Sequence, residues 1–474
     1  MMDMSRISIH FVNLGLAVAA VGTLSLAYPH VLLARLQPDA CVSSTERPNI
    51  IFLLTDDHRW DALGYAGNGI IQTPELDKLA ANGIYFKNAY VTTSICCVSR
   101  ASILSGQYAS RHQIHDFATE MSDEALQHTY PLLLKQSGYY TGFIGKYGVG
   151  EKMPENRFDK WYGFPGQGSY HQQDSLGRGI HLTALMRNQA DAFLESTTRD
   201  RPFCLSISFK APHTERGDAF IADSATRYLY ALDTLPVPVT AGDSYFEAFP
   251  DFFKRNNEAR IRWQVLFPTP DQFQENVKKY YRLITEVDQV VGAIREKLAE
   301  LKLARNTVIL FMSDNGFYMG EHGLAGKWYG HEESVRVPLI IYDPRIPARQ
   351  RGQIRNEIAL NIDVAPTILA MAGVAIPREM QGRDLMRLLE QPTPVWRDDF
   401  FYEHMFTAND RIPRSEGVIG RRYKYLRYID FDYEVLYDIE SDPHEITNLA
   451  SQPAYGNLLD TMRDRYGELK QAAK

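Results

Sequence analysis

The chain has 474 residues, of which 45% are hydrophobic and 23% are charged, and its formal net charge is −7. This composition fits a soluble globular protein and excludes a disordered or collagen-like chain. The acidic balance argues against nucleic acid as a partner, since that needs a broad basic face, but it allows a local basic pocket. The cysteines are too few for a disulfide-built scaffold, and they are Cys41, Cys96, Cys97 and Cys204.

Residues 1–40 are predicted to be a targeting segment and a tether rather than part of the fold. Arg6 precedes a long uncharged stretch whose core, Leu14–Ala27, has about the length and apolar character of a signal-peptide core. We expect cleavage after Ala27 and export to the periplasm or to the outside of the cell. An uncleaved anchor over Ile7–Leu33 is the alternative, since that stretch could just span a bilayer, and a membrane becomes a partner only in that case.

Beyond the tether, continuous apolar runs alternate with helical patterns. Apolar runs bounded by polar turns are typical of strands that are covered on both faces. The predicted strands are Asn49–Thr55, Tyr140–Gly145, Phe203–Phe209, Thr307–Ser313 and Pro338–Tyr342. The predicted helices are Pro74–Asn82, Lys278–Leu303 and Val364–Met371, the last with Asp363 as its N-cap. This alternation predicts an α/β fold built on a mostly parallel, doubly wound sheet.

The pattern also predicts two folded domains, a large one over residues 46–390 and a smaller one over residues 397–474. The proline-containing stretch between them, Gln391–Trp396, is predicted to be a linker. A β-meander and a final helix indicate a C-terminal α+β subdomain on an antiparallel sheet, and they are Gly417–Asp438 and Leu458–Gln471. Two irregular insertions are predicted to form pocket walls, Pro165–Gly179 and Pro236–Thr269.

Polar residues follow the carboxyl ends of four predicted strands. They are Asp56 and Asp57, then Lys146, then Lys210 with His213, and finally Asp314 and Asn315. Ligands of open α/β sheets bind outside these strand ends, so the side chains are expected to meet in one site. Each group has a simpler interpretation when taken alone, as a helix cap, a turn or a solvated strand end.

A cation is the simplest way to keep three carboxylates in one place. Without one they would repel each other and become partly protonated. Oxygen-only donors suit a hard cation, and their number favours Ca²⁺ over Mg²⁺. Zinc is disfavoured because histidines are few and no cysteine pair stands at ligand spacing near these strands.

A second group of residues runs from Cys96 to Gly106. Ser99 is predicted to cap a helix whose first turn would present free N–H groups to an anion, and Arg100 would add a fixed charge. A cysteine at such a turn is a candidate nucleophile. The alternative is an inert, buried pair, Cys96 and Cys97, at the start of a helix.

These residues resemble a known signature. Cys96-Cys97-Val98-Ser99-Arg100, followed by Leu104-Ser105-Gly106, is similar to the Cys-x-Pro-Ser-Arg and Leu-Thr-Gly signature of formylglycine-dependent sulfatases in the alkaline phosphatase superfamily. When the signature is aligned on Ser99 and Arg100, Cys96 takes the position of the cysteine that is modified in this family. The resemblance extends over further segments in family order, which are Asn49–Asp57, Gly145-Lys146, Ala211–His213, Ser313–Gly316, Gly320–Lys327, Glu332–Pro338 and Leu436–Asp438. It implies an alkaline-phosphatase-like fold.

The resemblance also implies roles for single residues. Cys96 would be oxidised to formylglycine by a formylglycine-generating or sulfatase-maturating enzyme, and its hydrated form would attack sulfur. One Ca²⁺ per chain would be bound by that residue together with Asp56, Asp57, Asp314 and Asn315. The sulfuryl oxygens would be stabilised by Arg100, Lys146 and Lys327. His213 would protonate the leaving oxygen as a general acid.

The chain departs from the family pattern at two informative positions. Val98 stands where proline is usual, so recognition by the maturation enzyme is an open question. Gly148 stands where many members have the histidine of a Gly-Lys-x-His run. That histidine is expected to help release sulfate, so another base would be needed here.

Two of the later segments, Gly320–Lys327 and Glu332–Pro338, resemble those of sulfatases that act on carbohydrates. A sulfated saccharide is therefore the expected substrate. Candidate sugar contacts, each with a structural alternative, are His181, His322, Arg336 and His404. Two other functions remain open, a phosphonate monoesterase or phosphodiesterase of the same superfamily and an inactive protein that binds sulfated glycans.

Overall fold

The computed structural model of the chain describes residues 46–215, 217–390, 392 and 394–474. The predicted targeting segment lies outside them, as do Gln391 and Thr393 of the predicted linker. Across these described ranges, no helix combines the length and the apolar character that are needed to cross a bilayer.

The described chain alternates strands and helices, as the sequence predicts. The β-strands are β1 (Asn49–Asp56), β2 (Ile84–Phe86), β3 (Ala89–Tyr90), β4 (Tyr140–Lys146), β5 (Lys160–Phe164), β6 (His171–Gln173), β7 (Gly179–His181), β8 (Phe203–Pro212), β9 (Thr307–Ser313), β10 (Tyr318–Met319), β11 (Ala325–Gly326), β12 (Leu339–Tyr342), β13 (Gln353–Arg355), β14 (Ala359–Leu360), β15 (Asp399–His404), β16 (Ser415–Gly420), β17 (Tyr423–Tyr428) and β18 (Tyr433–Asp438). The α-helices are α1 (Pro74–Asn82), α2 (Cys96–Ser105), α3 (Ala109–His112), α4 (Asp123–Gln127), α5 (Tyr130–Gln136), α6 (Leu182–Glu195), α7 (Asp243–Glu247), α8 (Asp251–Lys254), α9 (Glu258–Leu266), α10 (Pro270–Glu300), α11 (Glu332–Val335), α12 (Val364–Met371) and α13 (Gly456–Ala472).

The large sheet has eight strands in the order β13-β2-β12-β9-β1-β8-β4-β5. Strand β12 runs antiparallel to β2 and β9, whereas the other neighbouring pairs in this sheet are parallel. Alternate residues of β1 enter two different apolar cores, Ile50 and Phe52 one core and Ile51 and Leu53 the other. Helices α1, α6 and α10 contribute to the second core, and α2, α5 and α12 to the first. The predicted mostly parallel, doubly wound sheet is therefore confirmed.

The C-terminal sheet is antiparallel and has the strand order β15-β16-β17-β18. Helix α13 packs on it through Leu459 and Met462, which share an apolar cluster with Val418 and Leu436. The predicted meander and final helix are confirmed. Strand β15 is an addition that the sequence pattern did not predict.

One predicted helix start and one predicted side-chain cap need correction. Helix α10 begins at Pro270, because Thr269 accepts a hydrogen bond from the Gln272 amide and proline fits the first helical turn. Helix α12 begins at Val364 as predicted, and Asp363 stands at its N-cap position, but the Asp363 side chain makes no capping hydrogen bond. Its carboxylate instead accepts hydrogen bonds from the backbone amide of Leu360 and from the guanidinium of Arg397.

The two irregular insertions contain regular elements. The first holds β6, and most of the second forms α7, α8 and α9. Residues 236–240 of the second line a cleft of about 690 Å³, which fits the prediction that this segment walls a pocket.

Candidate active site

Four adjacent strands of the large sheet, β9, β1, β8 and β4, deliver their carboxyl ends to one edge. Asp56 ends β1, Lys146 ends β4, and His213 follows β8 directly. Asp314 follows β9, and its amide donates to the carbonyl of Thr55. The predicted meeting of these groups therefore follows from the parallel order of the strands.

Cys96 is the first residue of α2, and its side chain is buried. Its Sγ atom lies 3.2 Å from Oδ1 of Asp56 and 3.1 Å from Nζ of Lys327. The prediction of Ser99 as the helix cap is wrong, because α2 starts three residues earlier and Ser99 Oγ accepts from the side-chain amide of Asn361. Cys96 therefore lies at the positive end of the dipole of a ten-residue helix, and this end of the helix faces the carboxylates.

Arg100 joins two of the carboxylates. Its Nε donates to Asp314 Oδ2 at 2.8 Å and its Nη2 to Asp56 Oδ2 at 3.2 Å. A third nitrogen, Nη1, donates to the Lys146 carbonyl at 2.8 Å. These three hydrogen bonds fix the orientation of the planar guanidinium group. The ammonium group of a lysine could not form the same set of directed hydrogen bonds.

Two lysines from different segments, at the end of β4 and directly after β11, contact the carboxylates. Lys146 forms an ion pair with Asp56 and donates to Gln167 Oε1 at 2.6 Å. Lys327 donates to Asp57 Oδ1 at 2.5 Å. Both ammonium groups are buried, so their charges are stabilised by these partners rather than by water.

Acceptor atoms without partners lie between these groups. Asp57 Oδ2 and Asn315 Oδ1 are buried and accept no hydrogen bond. The other polar atoms of these two side chains are bonded to each other, since Asn315 Nδ2 donates to Asp57 Oδ1 at 2.5 Å. Asp57 also has φ 68°, a left-handed conformation that aspartate tolerates better than most residues. Single ligand atoms of Asp56, Asp57, Cys96 and His213 lie within 4.8 Å of one another. Unpartnered carboxylate and amide oxygens are the donor set that a hard cation needs, so these residues fit one.

The carboxylates do not share one protonation state. Burial, assisted by the charge of Asp56, raises the pKa of Asp314 to about 7. Burial also raises the pKa of Asp57, although Lys327 opposes the shift. Burial would raise the pKa of Asp56 too, but Lys146 and other neighbouring cations hold it well below its usual value. Burial is the main cause of the raised pKa values of Asp57 and Asp314, and the charge of Asp56 adds to both, as expected for crowded carboxylates.

The surroundings of Cys96 disfavour the ionised form of its thiol. Burial and the charge of Asp56 raise the pKa of Cys96 far above its usual value. A thiol is reactive as a thiolate, and the nearby Lys146 and Lys327 do not compensate for the burial.

His213 faces the same site with one free nitrogen. Its Nδ1 is 2.6 Å from the Thr214 carbonyl, which places the proton on Nδ1 in the neutral ring. Its Nε2 is 3.7 Å from Asp57 Oδ2. Burial and the charge of Lys327 lower the pKa of His213 well below its usual value. Nε2 is thus the atom that could exchange a proton with a substrate.

Gly148 has a steric reason to be glycine. It adopts φ +71°, and a Cβ atom there would lie 2.8 Å from Cδ of Arg100. A histidine at this position would strain the backbone and displace the arginine that joins Asp56 and Asp314. Arg100 therefore occupies the space that a side chain at position 148 would need.

The four candidate sugar contacts lie apart from this group. Arg336 stacks on Trp60 at 4.1 Å and lines the cleft of about 690 Å³. His181 caps α6 and stacks on a tyrosine, and His322 stacks on His331 at 4.7 Å. His404 is fully buried in β15. Among the described contacts of these four, none reaches the residues around Cys96.

Gln167 is a site residue that the sequence did not single out. It lies in the predicted pocket wall, where its side chain accepts from Lys146 and its carbonyl accepts from Lys210 at 3.0 Å. A glutamine in an irregular, glycine-rich insertion has no spacing pattern that could have revealed this contact.

The fold and the site together define a hydrolase of the alkaline phosphatase superfamily, with the expected nucleophile position at a helix start and acidic residues at the ends of a parallel sheet. A sequence model of the sulfatase family matches residues 48–374, and the chain therefore belongs to the sulfatase family. A second model, described as N-sulphoglucosamine sulphohydrolase, C-terminal, matches residues 320–472. The predicted family and enzyme class, a sulfatase, are confirmed.

Similar proteins support this assignment. N-acetylglucosamine-6-O-sulfatase of Bacteroides thetaiotaomicron is 29% identical over 494 residues, covering 89% of this chain and 87% of that protein. Human N-sulphoglucosamine sulphohydrolase is 27% identical over 477 residues, covering 88% of each chain. A solved complex of an enzyme with its substrate D-glucosamine-2-N,6-O-disulfate has a TM-score of 0.78 at 27% identity, covering 90% of this chain and 98% of that one. A phosphonate monoester hydrolase from Silicibacter pomeroyi shares the fold, with a TM-score of 0.77 at 22% identity and coverage of 90% and 96%.

Proposed function

We propose that this sulfatase removes sulfate from a sulfated saccharide. The observation that carries the proposal is the pair of unpartnered buried oxygens, Asp57 Oδ2 and Asn315 Oδ1, in the same site as Cys96 and the charged side chains of Arg100 and Lys327. Relatives named for the 6-sulfate of N-acetylglucosamine support a sugar as the group that carries the sulfate.

We propose that one Ca²⁺ is held by Asp56, Asp57, Asp314 and Asn315. When bound, the ion would supply positive charge next to a sulfate ester, whose own negative charge repels nucleophiles. The same charge would favour the ionised form of Asp314, which is partly protonated near neutral pH without it.

The nucleophile is proposed to be formylglycine at position 96. One hydroxyl of the hydrated aldehyde would attack the sulfur of the ester, and the second hydroxyl would allow sulfate to be released afterwards. Cys96, Cys97 and Val98 are all buried in the folded chain. A maturation enzyme must therefore act before this segment folds. Val98 packs inside the apolar core, so a valine satisfies the fold at this position whether or not the maturation enzyme prefers proline.

The surrounding residues would orient the sulfate and stabilise its charge. Arg100, Lys146 and Lys327 keep fixed positions around Cys96, and preorganised charge of this kind contributes most to catalysis. His213 would donate a proton from Nε2 to the sugar oxygen as the S–O bond breaks. The negative charge of a bound sulfate would raise the pKa of His213, which offsets the lowering caused by burial and Lys327.

We further propose that residues 1–40 direct export and that residues 46–390 carry the catalytic site. Residues 397–474 would then complete the enzyme as a C-terminal subdomain. A similar protein of Drosophila melanogaster is named an extracellular sulfatase, which agrees with an exported enzyme.

The test combines mass spectrometry with a substrate panel. The chain is co-expressed with a maturation enzyme, and the peptide that covers Cys96 is expected to exchange sulfur and two hydrogens for one oxygen. The purified enzyme is expected to desulfate N-acetylglucosamine 6-sulfate and to lose turnover in a chelator, with recovery on adding Ca²⁺. Faster turnover of phenyl phosphonate than of any sulfate would indicate a phosphonate monoesterase. An unconverted Cys96 with retained binding of sulfated glycans would indicate a binding protein.

A further inference from the structure

A corner of three side chains lies on segments next to those of Lys327 and His213, and we call it the α9 corner. It consists of Arg262 on α9, Trp328 directly after Lys327, and Asp218 on the loop that follows His213. The guanidinium carbon of Arg262 lies 5.0 Å from the centre of the Trp328 ring. The corner thus connects the two segments that carry Lys327 and His213.

The backbone holds this corner in a strained shape. Trp328 has φ 90°, which is rare for a bulky residue, and Gly326 has φ 105°. A Cβ at Gly326 would lie 2.9 Å from the Trp328 ring, so glycine is needed for this close approach. The Trp328 carbonyl accepts from the hydroxyl of Tyr402 at 2.9 Å. Strain of this kind persists where the surrounding contacts enforce it and is often found at functional sites.

Arg262 has buried donors without acceptors. Its Nε and Nη1 are shielded from solvent and form no hydrogen bond. The nearest carboxylate oxygens are Asp218 Oδ1 at 3.4 Å and Glu258 Oε1 at 3.7 Å from Nε. By contrast, Arg260 on the same helix donates to Asp243 at 2.8 Å and to the Gly323 carbonyl at 3.1 Å. Buried donors are nearly always satisfied, so the free donors of Arg262 indicate a missing acceptor.

We propose that the α9 corner binds a ring hydroxyl group of the sugar unit that bears the sulfate. The inference rests on the proposed function and names the part of the substrate that is recognised. A hydroxyl can accept from Arg262 and donate to Asp218 at the same time. A second anionic group fits less well, because the carboxylates of Asp218 and Glu258 already offset the guanidinium charge.

Substitutions in the corner test this role with two kinds of substrate. Arg262→Ala and Asp218→Asn are compared on N-acetylglucosamine 6-sulfate, on its 3-deoxy and 4-deoxy analogues, and on 4-nitrophenyl sulfate. We expect kcat/KM for the sugar to fall by about tenfold or more, mainly through KM, because a hydrogen bond to a charged group is lost. Activity on 4-nitrophenyl sulfate should stay within about twofold, since that substrate has no sugar hydroxyl.

The deoxy analogues give the decisive comparison. For one analogue, the wild type should already show the tenfold loss, and Arg262→Ala should add little to it. Gln264→Ala, an exposed residue of the same helix, is the matched control and should change neither substrate. Equal losses on the sugar and on 4-nitrophenyl sulfate, or unchanged sugar kinetics in both variants, would overturn the inference alone. A wild type that cleaves 4-nitrophenyl sulfate but desulfates no sugar would overturn the proposed function and the inference with it.

If Arg262→Ala fails to fold, Asp218→Asn decides the question. Asp218 is partly exposed on its loop, and the change keeps its size. It removes an acceptor that the proposed hydroxyl would use, so the same loss on the sugar alone is expected.

Discussion

Two clusters of buried charge in this sulfatase differ in what their contacts can do. The first cluster surrounds Cys96, and we call it the catalytic cluster after its proposed role. It combines Asp56, Asp57 and Asp314 with Arg100, Lys146 and Lys327. The junction cluster consists of Glu332 on α11, Lys424 on β17 and Glu445 after β18. In the junction cluster, Lys424 Nζ lies 3.0 Å from Glu332 and 2.7 Å from Glu445.

The difference lies in the partners rather than in the burial. The junction cluster connects the C-terminal sheet to helix α11, and the Glu332 amide also donates to Glu445 at 2.8 Å. The catalytic cluster contains a helix-start cysteine and two oxygens, Asp57 Oδ2 and Asn315 Oδ1, that accept no hydrogen bond. Glu445 Oε1 of the junction cluster also accepts none, but it lies 2.7 Å from the Lys424 ammonium. The helix-start cysteine therefore distinguishes the cluster around Cys96 from the junction cluster, although both contain buried charges with perturbed pKa values.

The first prediction breaks the catalytic cluster at its nucleophile. Cys96→Ala should lower turnover by at least about 10⁴-fold, the scale on which removal of a nucleophile acts, while the melting temperature changes little. Cys97→Ala is the matched control, because Cys97 packs in the apolar core and should affect stability more than turnover. If Cys97→Ala removed turnover and Cys96→Ala did not, the assignment of position 96 would be wrong.

The second prediction breaks the junction cluster. Lys424→Met leaves Glu332 and Glu445 buried without their cation, so the free energy of unfolding should fall by about 3–5 kcal/mol. Urea unfolding followed by fluorescence measures this change. The kcat of the folded fraction should stay close to wild type, because the contacts of Lys424 lie outside the catalytic cluster. A large loss of kcat at full folding would contradict the structural role of this cluster.

The third prediction sharpens the comparison with a second lysine. Lys327→Ala removes a charge 3.1 Å from Cys96 Sγ, and kcat should fall by about 10²–10³-fold, as when one preorganised donor is lost. Steady-state kinetics with N-acetylglucosamine 6-sulfate gives the value, and the exposed Lys160 supplies the control substitution, Lys160→Ala. Near-normal turnover in Lys327→Ala would remove this residue from the site.

The sequence predicted the positions of strands and carboxylates well for a physical reason. Buried parallel strands are continuous apolar runs, so Thr307–Ser313 has the bounds that the pattern predicts. Polar residues directly after such runs, such as Asp56 and Asp314, must lie at the same edge of the sheet. The family resemblance added Cys96 and Lys327, which no strand pattern marks.

Features that depend on tertiary contacts were not predictable in this way. Asp363 and Ser99 look like helix caps locally, but partners distant in the sequence, Arg397 and Asn361, bond to them instead. Gln167 and Arg262 lie in irregular or inserted segments, where no periodicity relates sequence position to the site. The reason for Gly148 also becomes visible only when Arg100 is in place.

The last prediction uses pH to separate the two clusters by their titration. Burial raises the pKa of Glu445 to about 7 from a usual value of 4.5, with Lys424 opposing the shift and Glu332 adding to it. The folded state therefore holds this proton more tightly than the unfolded state. Its contribution to stability is complete below pH 4.5 and is lost as the pH rises to about 7.

Glu445→Gln removes this titration, so its free energy of unfolding should depend less steeply on pH between 4.5 and 7 than that of the wild type. The two curves should diverge by on the order of 2 kcal/mol across this window, which urea unfolding at several pH values can measure. The exposed Glu155 provides the control, and Glu155→Gln should leave the slope unchanged. The pH profile of kcat should be the same in Glu445→Gln and wild type, because Glu445 contacts the junction cluster and not the groups around Cys96. Parallel stability curves for Glu445→Gln and wild type would contradict the prediction, because they would show that folding does not raise the pKa of Glu445 into this window.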